Sequence, residues 1–557
     1  MSTKISNLLF SGLESCTTIL ARYPDRNGSP MVTRIAPSPT GFLHIGSVYT
    51  GLLNEKLAHQ SEGKFLVRIE DTDQARNTTD FENQSGGIYS IIKGLNFFEL
   101  QYDEGVILKD DNNLEQKGSY GPYIQSQRLD IYKSFIKYLL ETGKAYVCFL
   151  SPQELESIRA SQQVAKQATG IYGQYALSRN LTEDEVITRI NKGDSYVIRW
   201  KANGEIGKKI QFEDGVKGSV DMQENYIDQI ILKSDGFPSY ALAHIIDDYL
   251  MGTTHVIRAD ERLASVPYHI QLFQGFADIF SRPQWSYNHN SPIEKMENGN
   301  RRKLSKRKDP EADVKTLIDA GYPAEGIKTY LMCLLNSNFE DRWKEENTKH
   351  PYVSYKEFQV SLDKCSTSGA IFDMDKLNHI CAEYLAIVPL DQLITELEAF
   401  NTKDEIKIWE WDKEYLKNIL NFDRVKKLHI NYQNIIDYIL PFITRPAIDN
   451  SLYPTIFSTD EVQNILLQYS KHLDEKLWWN DNNLLMTKEE RFEDLKQFGK
   501  QFGIAPSNGE FKEGGYKGKI GDLAMLLRIH LYGAANTPDI YEMIRVMGKQ
   551  TVSERLK

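Results

Sequence analysis

The chain has 557 residues, of which 41% are hydrophobic, 26% charged and 11% aromatic, with a net charge of −11. This composition excludes a disordered chain and a single-core protein and predicts about three to five domains. The acidic balance argues against a surface that binds phosphates everywhere, yet Lys and Arg cluster at 301–308 and 424–427 and recur along 512–519, where local patches can still meet a nucleic acid. No apolar run approaches the roughly 18–20 residues of a membrane span, so no membrane partner is expected.

In chain order, residues 1–30 predict an N-terminal extension with a short helix near 8–13 and no secretory or transit pattern. Residues 32–36 form a β-prone run that ends in Pro37-Ser38-Pro39-Thr40-Gly41; His44-Ile45-Gly46-Ser47 then opens an apolar-periodic helix through Leu57. A strand, a tight turn and a helix place an anion at a helix N-terminus, where free N–H groups and the dipole favour phosphate. By themselves these letters also describe an ordinary strand–turn–helix with a packed histidine. Residues 64–70 alternate as a strand ending at Asp71-Thr72-Asp73, and a helix capped near Thr79 follows through Ile88, Ile91 and Ile92. This alternation predicts an α/β, doubly wound parallel sheet with ligands at the carboxyl ends of its strands.

Residues 110–228 break the rhythm and read as an α+β insertion, with a capped helix over 126–140, a polar helix near 152–166, and strands at 196–201 and 209–212. The sheet is expected to resume at 227–232, followed by a turn at 234–238, a strand at 253–258, a helix at 267–280 and a breaker-rich stretch at 281–300. Beyond residue 311 the pattern is helical, beginning with 312–335, and from about 375 to 557 no train of strands occurs. The predicted division is 1–30, a sheet domain in two halves (31–109 and 229–310), the insertion 110–228, a helical connector 311–375, and an all-α region 376–557.

The letters RIAPSPTG followed by HIG resemble the first signature of class I aminoacyl-tRNA synthetases, in the glutamyl-tRNA synthetase branch. Lys303-Leu304-Ser305-Lys306-Arg307 is similar to the mobile KMSKS loop of that class, and the resemblance runs over residues 32–343 and more weakly beyond. Gly121-Pro122-Tyr123, Gln125-Ser126 and Arg128 resemble the opening of the family's acceptor-end insertion. The resemblance implies a Rossmann-type catalytic domain, a stem-contact connector and a C-terminal anticodon-binding region. It also implies a glutamate–tRNA ligase acting on L-glutamate, ATP with Mg2+, and tRNA(Glu), with tRNA(Gln) left open, as a cytoplasmic monomer. Some members hold zinc in the insertion on a Cys-x-Cys pair. Here Cys16, Cys148, Cys333, Cys365 and Cys381 are scattered, with no partner near Cys148, so no zinc and a reducing compartment are expected.

Amino-acid activation needs no protein nucleophile, only positioning and neutralisation of developing negative charge. The resemblance assigns His44, Lys303 and Lys306 to catalysis, and Thr40, Gly41, His44, Gly46, Glu261, Lys303, Ser305 and Lys306 to ATP. It assigns Arg34, Ser38, Glu70, Tyr240, His244 and Arg258 to glutamate. Chemically, Arg34 and Arg258 suit a carboxylate and Glu70 suits an ammonium.

Three positions depart from the family pattern. Ser47 ends the HIGH-type motif. His244 stands where many relatives have asparagine, and its protonation is expected to tune glutamate affinity with pH. Ala259-Asp260-Glu261-Arg262 replaces GEEW, so that Arg262 removes an aromatic wall of the adenine pocket. The pairs Asp71/Asp73 and Asp247/Asp248 are expected to anchor turns or helix ends rather than a metal. Trp478-Trp479 reads as core packing or as a base-stacking platform. Five of the seven residues 302–308 are basic, which predicts a loop that is mobile without an anion and closes over ATP. A truncated relative that glutamylates a base within tRNA resembles only the first half, and the helical half argues against it. A silent tRNA-binding paralogue has no use for His44, Lys303 and Lys306.

Overall fold

Two short helices, Thr3–Leu9 (α1) and Cys16–Arg22 (α2), precede the first strand, where one was expected near 8–13. The Ser15 side chain caps α2 by accepting from the Thr18 N–H. This computed structural model describes residues 3–26, 30–41, 43–74, 87–110, 113–305, 308–346, 352–401, 410–422, 429–476, 487–535 and 537–557. The expected cap at Thr79, the basic cluster 424–427, the Trp478-Trp479 pair, and Lys306 and Arg307 lie outside the described residues. Cα packing divides the chain into two units, Met1–Asp319 with Ala324–Leu377, and Ala320–Pro323 with Asn378–Lys557.

In the first unit, Val32–Ile35 (β1) buries all four residues. The helix Ile45–Gln60 (α3) leads to Lys64–Val67 (β2), and Gly87–Phe97 (α4) leads to Glu104–Asp110 (β3). β1, β2 and β3 are parallel neighbours, and Asn113–Lys117 (β4) closes this edge antiparallel to β3. After the 3-10 turn Gln125–Arg128 comes Leu129–Glu141 (α5), which buries Ile131, Phe135, Ile136 and Leu139 as its periodicity predicts. Ala145–Cys148 (β5), Pro152–Val164 (α6), Glu183–Asn191 (α7), Val197–Trp200 (β6), Lys209–Asp214 (β7), Gly218–Gln223 (β8) and Ile230–Leu232 (β9) follow. Capping boxes at Ser151/Glu154 and Thr182/Glu185 start α6 and α7.

The strand β9 does not resume the parallel sheet as expected; it pairs antiparallel with β6 in a separate sheet, β5-β6-β9. The sheet resumes after Tyr240–Leu250 (α8), at His255–Ala259 (β10). Thr254 N–H donates to the Val32 carbonyl at 2.9 Å, and Val32 N–H to the Thr254 hydroxyl at 2.8 Å, so β10 lies beside β1. Val266–Gln274 (α9) is followed by Ser286–Asn290 (β11), which is parallel to β10 inside the stretch read as breaker-rich. The ribbon β7–β8 joins β11 through Asp214 and Tyr287. Ile293–Glu297 (β12) and Asn300–Lys303 (β13) form a hairpin whose turn residues Asn298 and Gly299 take positive φ.

The single helix expected over 312–335 is two, Val314–Asp319 (α10) and Ala324–Leu335 (α11), separated by Gly321 at φ 78° and by Pro323. The second unit is built on helices such as Leu390–Phe400, Tyr432–Ile443, Thr459–Glu475 and Ile520–Tyr532, with, among the described residues, one two-residue strand pair. No helix among the described residues is long and apolar enough to cross a membrane.

Candidate active site

The carboxyl ends of β1, β2 and β10 frame an open cleft of about 340 Å³, where a doubly wound sheet binds ligands. His44 is the N-cap of α3, and its Nδ1 accepts from the Gly46 N–H at 2.8 Å. With Nδ1 used as an acceptor, the neutral ring carries its proton on Nε2 and can donate from there. A Cβ on Gly46 would lie 2.9 Å from that Nδ1, so a side chain there pushes the imidazole aside. Gly46→Ala is therefore expected to cut kcat about 100-fold through misplacement of one donor while leaving thermal stability nearly unchanged. Steady-state kinetics beside a melting curve check this.

Lys303 ends β13 and is ion-paired with Glu261; both are about half exposed. Arg302 forks onto Asp309 at 2.6 and 2.8 Å and reaches Glu297 at 2.8 Å, while Lys308 lies 3.6 Å from Glu297. Hydrogen bonding to Arg302 holds the Asp309 carboxyl well below the ordinary carboxylate range. The expectation that only an incoming anion balances the basic loop is thus corrected: Arg302, Lys303 and Lys308 already have carboxylate partners, contributed by Glu261, Glu297 and Asp309.

Behind the cleft lies a buried ionic network. Arg34 Nε is 3.0 Å from Asp248 Oδ1, and Arg68 reaches Asp248 at 2.6 Å and Glu70 at 2.9 Å. Arg128 Nε donates to Asp247 at 2.7 Å, and Gln125 and Tyr132 donate to the other Asp247 oxygen. The arginines 34, 68 and 128 thus face the carboxylates of Glu70, Asp247 and Asp248. Asp247 and Asp248 do sit in the last turn of α8, but what they anchor is these arginines and not the helix end. Asp71 accepts from the Ser126 N–H at 2.8 Å, the turn-anchoring role expected of it.

His244 is fully buried, 2.8 Å from Asp248 and between Arg34 and Arg258. Burial, reinforced by the two arginines against Asp248, pushes it down to about 3. It therefore stays neutral, and the expected tuning of glutamate affinity by its protonation is corrected. Tyr240 opens α8 with its ring stacked on His244 at 5.7 Å, and the Arg262 guanidinium lies 4.5 Å over the same ring.

Residues 30–379 match the family described as tRNA synthetases class I (E and Q), catalytic domain, and residues 392–557 match an anticodon binding domain. The glutamate–tRNA ligase of Acetivibrio thermocellus is 35% identical, covering 100% of this chain and 99% of its own. That of Clostridium perfringens strain 13 is 37% identical, covering 99% of both. The chain belongs to the glutamate–tRNA ligase family. A crystal structure of a glutamate tRNA ligase from Elizabethkingia meningosepticum, in complex with its amino acid, superposes with a TM-score of 0.72 at 25% identity, over 95% of this chain and 98% of that one.

Of the residues that the glutamate–tRNA ligase resemblance singles out, Arg34, Ser38, His44, Gly46, Glu70, Tyr240, Arg258, Glu261 and Lys303 line the cleft. His244 sits behind its wall, Thr40, Gly41 and Ser305 are not in the lining, and Lys306 is outside the described residues. The Ser305 N–H donates to Asp309 at 2.9 Å. Sequence reading missed Arg68, although an arginine two residues before Glu70 on one strand shares its face. It also missed His289, His269 and Asp214, for which no local signal exists. Among the described residues no group of three or more His, Cys, Asp and Glu side chains is placed to hold a metal ion.

Proposed function

We propose that this family member glutamylates tRNA(Glu) in two steps at the cleft. The α-carboxylate of L-glutamate attacks the α-phosphorus of ATP, giving glutamyl-adenylate and pyrophosphate. The 3′-terminal adenosine of the tRNA then takes the glutamyl group and AMP leaves. The observation that carries this reading is Arg258, a buried cation in the cleft wall with no carboxylate within ion-pair distance among the described residues. With Arg34, Arg68 and Arg128 matched by Glu70, Asp247 and Asp248, Arg258 is left without a direct carboxylate partner, which suits a substrate carrying two carboxylates and one ammonium.

In this account Arg258, with Arg34 and Tyr240, receives the side-chain carboxylate, Glu70 takes the ammonium, and Ser38 lines the approach. The Nε2–H of His44 meets a phosphate oxygen. Lys303 leaves Glu261 for the phosphates, joined by Lys306, while Thr40, Gly41, Gly46, Glu261 and Ser305 shape the nucleotide site. Mg2+ enters with ATP, whose phosphates supply donors. The proposed division is 31–109 with 229–310 as the catalytic domain, 110–228 as the acceptor-end insertion, 311–375 as the stem contact and 376–557 as the anticodon reader, following the extension 1–30. The enzyme acts as a monomer in the cytoplasm; its cysteines are all free and buried, which suits a reducing compartment.

Burial raises the Glu70 carboxyl above its ordinary 4.5 despite Arg68. A protonated Glu70 has no charge for the ammonium, so kcat/KM for glutamate should fall as the pH drops through that raised value. Glu70→Gln should lose this acid limb, as a pH profile of kcat/KM would show. Labelled glutamate, ATP, Mg2+ and purified tRNA(Glu) or tRNA(Gln) in separate reactions test the whole reading. Label on tRNA(Glu) supports it, label on tRNA(Gln) as well adds a second substrate, and label on neither refutes it.

A further inference from the structure

Arg258 is 6% exposed, and its guanidinium is surrounded by three histidines, with the Arg262 carbonyl at 3.4 Å from Nη2 and the Tyr287 ring 5.4 Å away. Nε donates to His289 Nε2 at 3.0 Å, Nη1 lies 3.5 Å from His244 Nε2, and Nη1 and Nη2 each lie 3.3 Å from His269 Nδ1. The neighbouring arginines 34, 68 and 128 each end on a carboxylate; Arg258 does not. Buried cations are ordinarily paired, so a cradle made only of uncharged groups is a distinct arrangement.

The groups behind the rings fix their tautomers. His289 Nδ1 is 2.6 Å from Asp214 Oδ2, and His244 Nδ1 is 2.8 Å from Asp248 Oδ2. Each carboxylate accepts a hydrogen bond from the Nδ1–H of its ring, so each ring presents a bare Nε2 to Arg258. His269 is reversed: its Nδ1 faces Arg258, and its buried Nε2 has no hydrogen-bond partner. Asp214 is itself preset, since its Oδ1 accepts from the backbone N–H groups of Val216 (3.0 Å), Lys217 (2.9 Å) and His289 (3.2 Å). It stands at the end of β7, in the inserted stretch, and reaches the amino-acid pocket through β11.

We infer that the uncharged imidazoles of His289, His269 and His244, with Asp214 fixing His289 from behind, form a cradle that aims Arg258 and leaves its positive charge for the substrate's side-chain carboxylate, setting the preference for glutamate over glutamine. Asp214, His269 and His289 are positioning residues, acting through Arg258. A carboxylate in the same place would satisfy the guanidinium internally and compete with the substrate. The inference rests on the proposed reading in which Arg258 receives that carboxylate.

The test uses the full-length protein in aminoacylation assays, with KM measured for glutamate, ATP and tRNA(Glu) and with glutamine as the competing amino acid. His269→Gln and His269→Glu differ in little but charge. The glutamate variant should raise the KM for glutamate about 100-fold by supplying an internal counter-ion, with the KM for ATP unmoved and the preference over glutamine reduced. The glutamine variant should change little. His289→Leu, which removes an acceptor, should raise the KM for glutamate about tenfold, and His289→Gln, whose carbonyl oxygen replaces Nε2, should restore much of it.

Equal glutamate KM values for the two His269 variants overturn the inference, as does a parallel rise for ATP, which marks a merely structural role. Should His269→Glu not fold, the His289 pair decides by the same rule. Arg258→Ala is measured alongside. If it alone raises the KM for glutamate, the cradle falls and the reading of Arg258 stands; if it too has no effect, that reading falls with it.

Discussion

Arg258→Ala is expected to lower glutamate affinity or turnover about 30- to several-thousand-fold, because loss of a buried charged hydrogen bond costs about 2–5 kcal/mol. The expected size comes from the pocket's charge balance. The other buried arginines of the site are matched by Glu70, Asp247 and Asp248, so removing Arg258 leaves the substrate's second carboxylate without its buried cation. Arg34 shares its charge with Asp248 and does not by itself replace Arg258. Tyr240→Phe, which removes one neutral hydroxyl, should cost about 1 kcal/mol. Steady-state kinetics over a wide glutamate range decide the matter, and an alanine variant with wild-type kinetics would remove Arg258 from the site.

The second large effect is on stability. Asp248→Ala leaves Arg34 and Arg68 buried without their shared partner, a change worth about 3–5 kcal/mol in comparable buried pairs. Asp248 is fully buried, yet Arg34 and then Arg68 outweigh the burial penalty and hold its carboxyl well below 3.8. A carboxyl depressed on folding stabilises above its unfolded value, and that contribution fades as the pH falls through the lower folded one. The loss in the alanine variant should therefore be complete at neutral pH and shrink only in strong acid. Thermal unfolding of the full chain at several pH values measures it; an unchanged melting temperature at pH 7 would show that the network adds nothing.

The residues that announce the family were legible because local chemistry makes them so. The unit β1–turn–α3 shows its period and its breakers, and the basic loop shows its composition. What stayed hidden depends on partners far away in the chain. The strand β11 read as a breaker-rich stretch because Asn288, His289 and Asn290 are polar, yet all three are buried, and His289 spends its two nitrogens on Asp214 and Arg258. Asp247 and Asp248 looked like ordinary helix-end acids because the three arginines they hold come from β1, the residue after β2 and the turn before α5. The strand β9 was assigned to the wrong sheet for a similar reason: its apolar letters suit any buried strand, and only pairing with β6 decides its place.

On the proposed reading, a buried arginine with no carboxylate of its own selects a dicarboxylic amino acid for transfer to tRNA. Competition between labelled glutamate and glutamine, at equal concentration with ATP, Mg2+ and tRNA(Glu), tests it most directly. Glutamate alone should appear on the tRNA, and only when ATP is present; glutamine charged at a comparable rate would contradict the account.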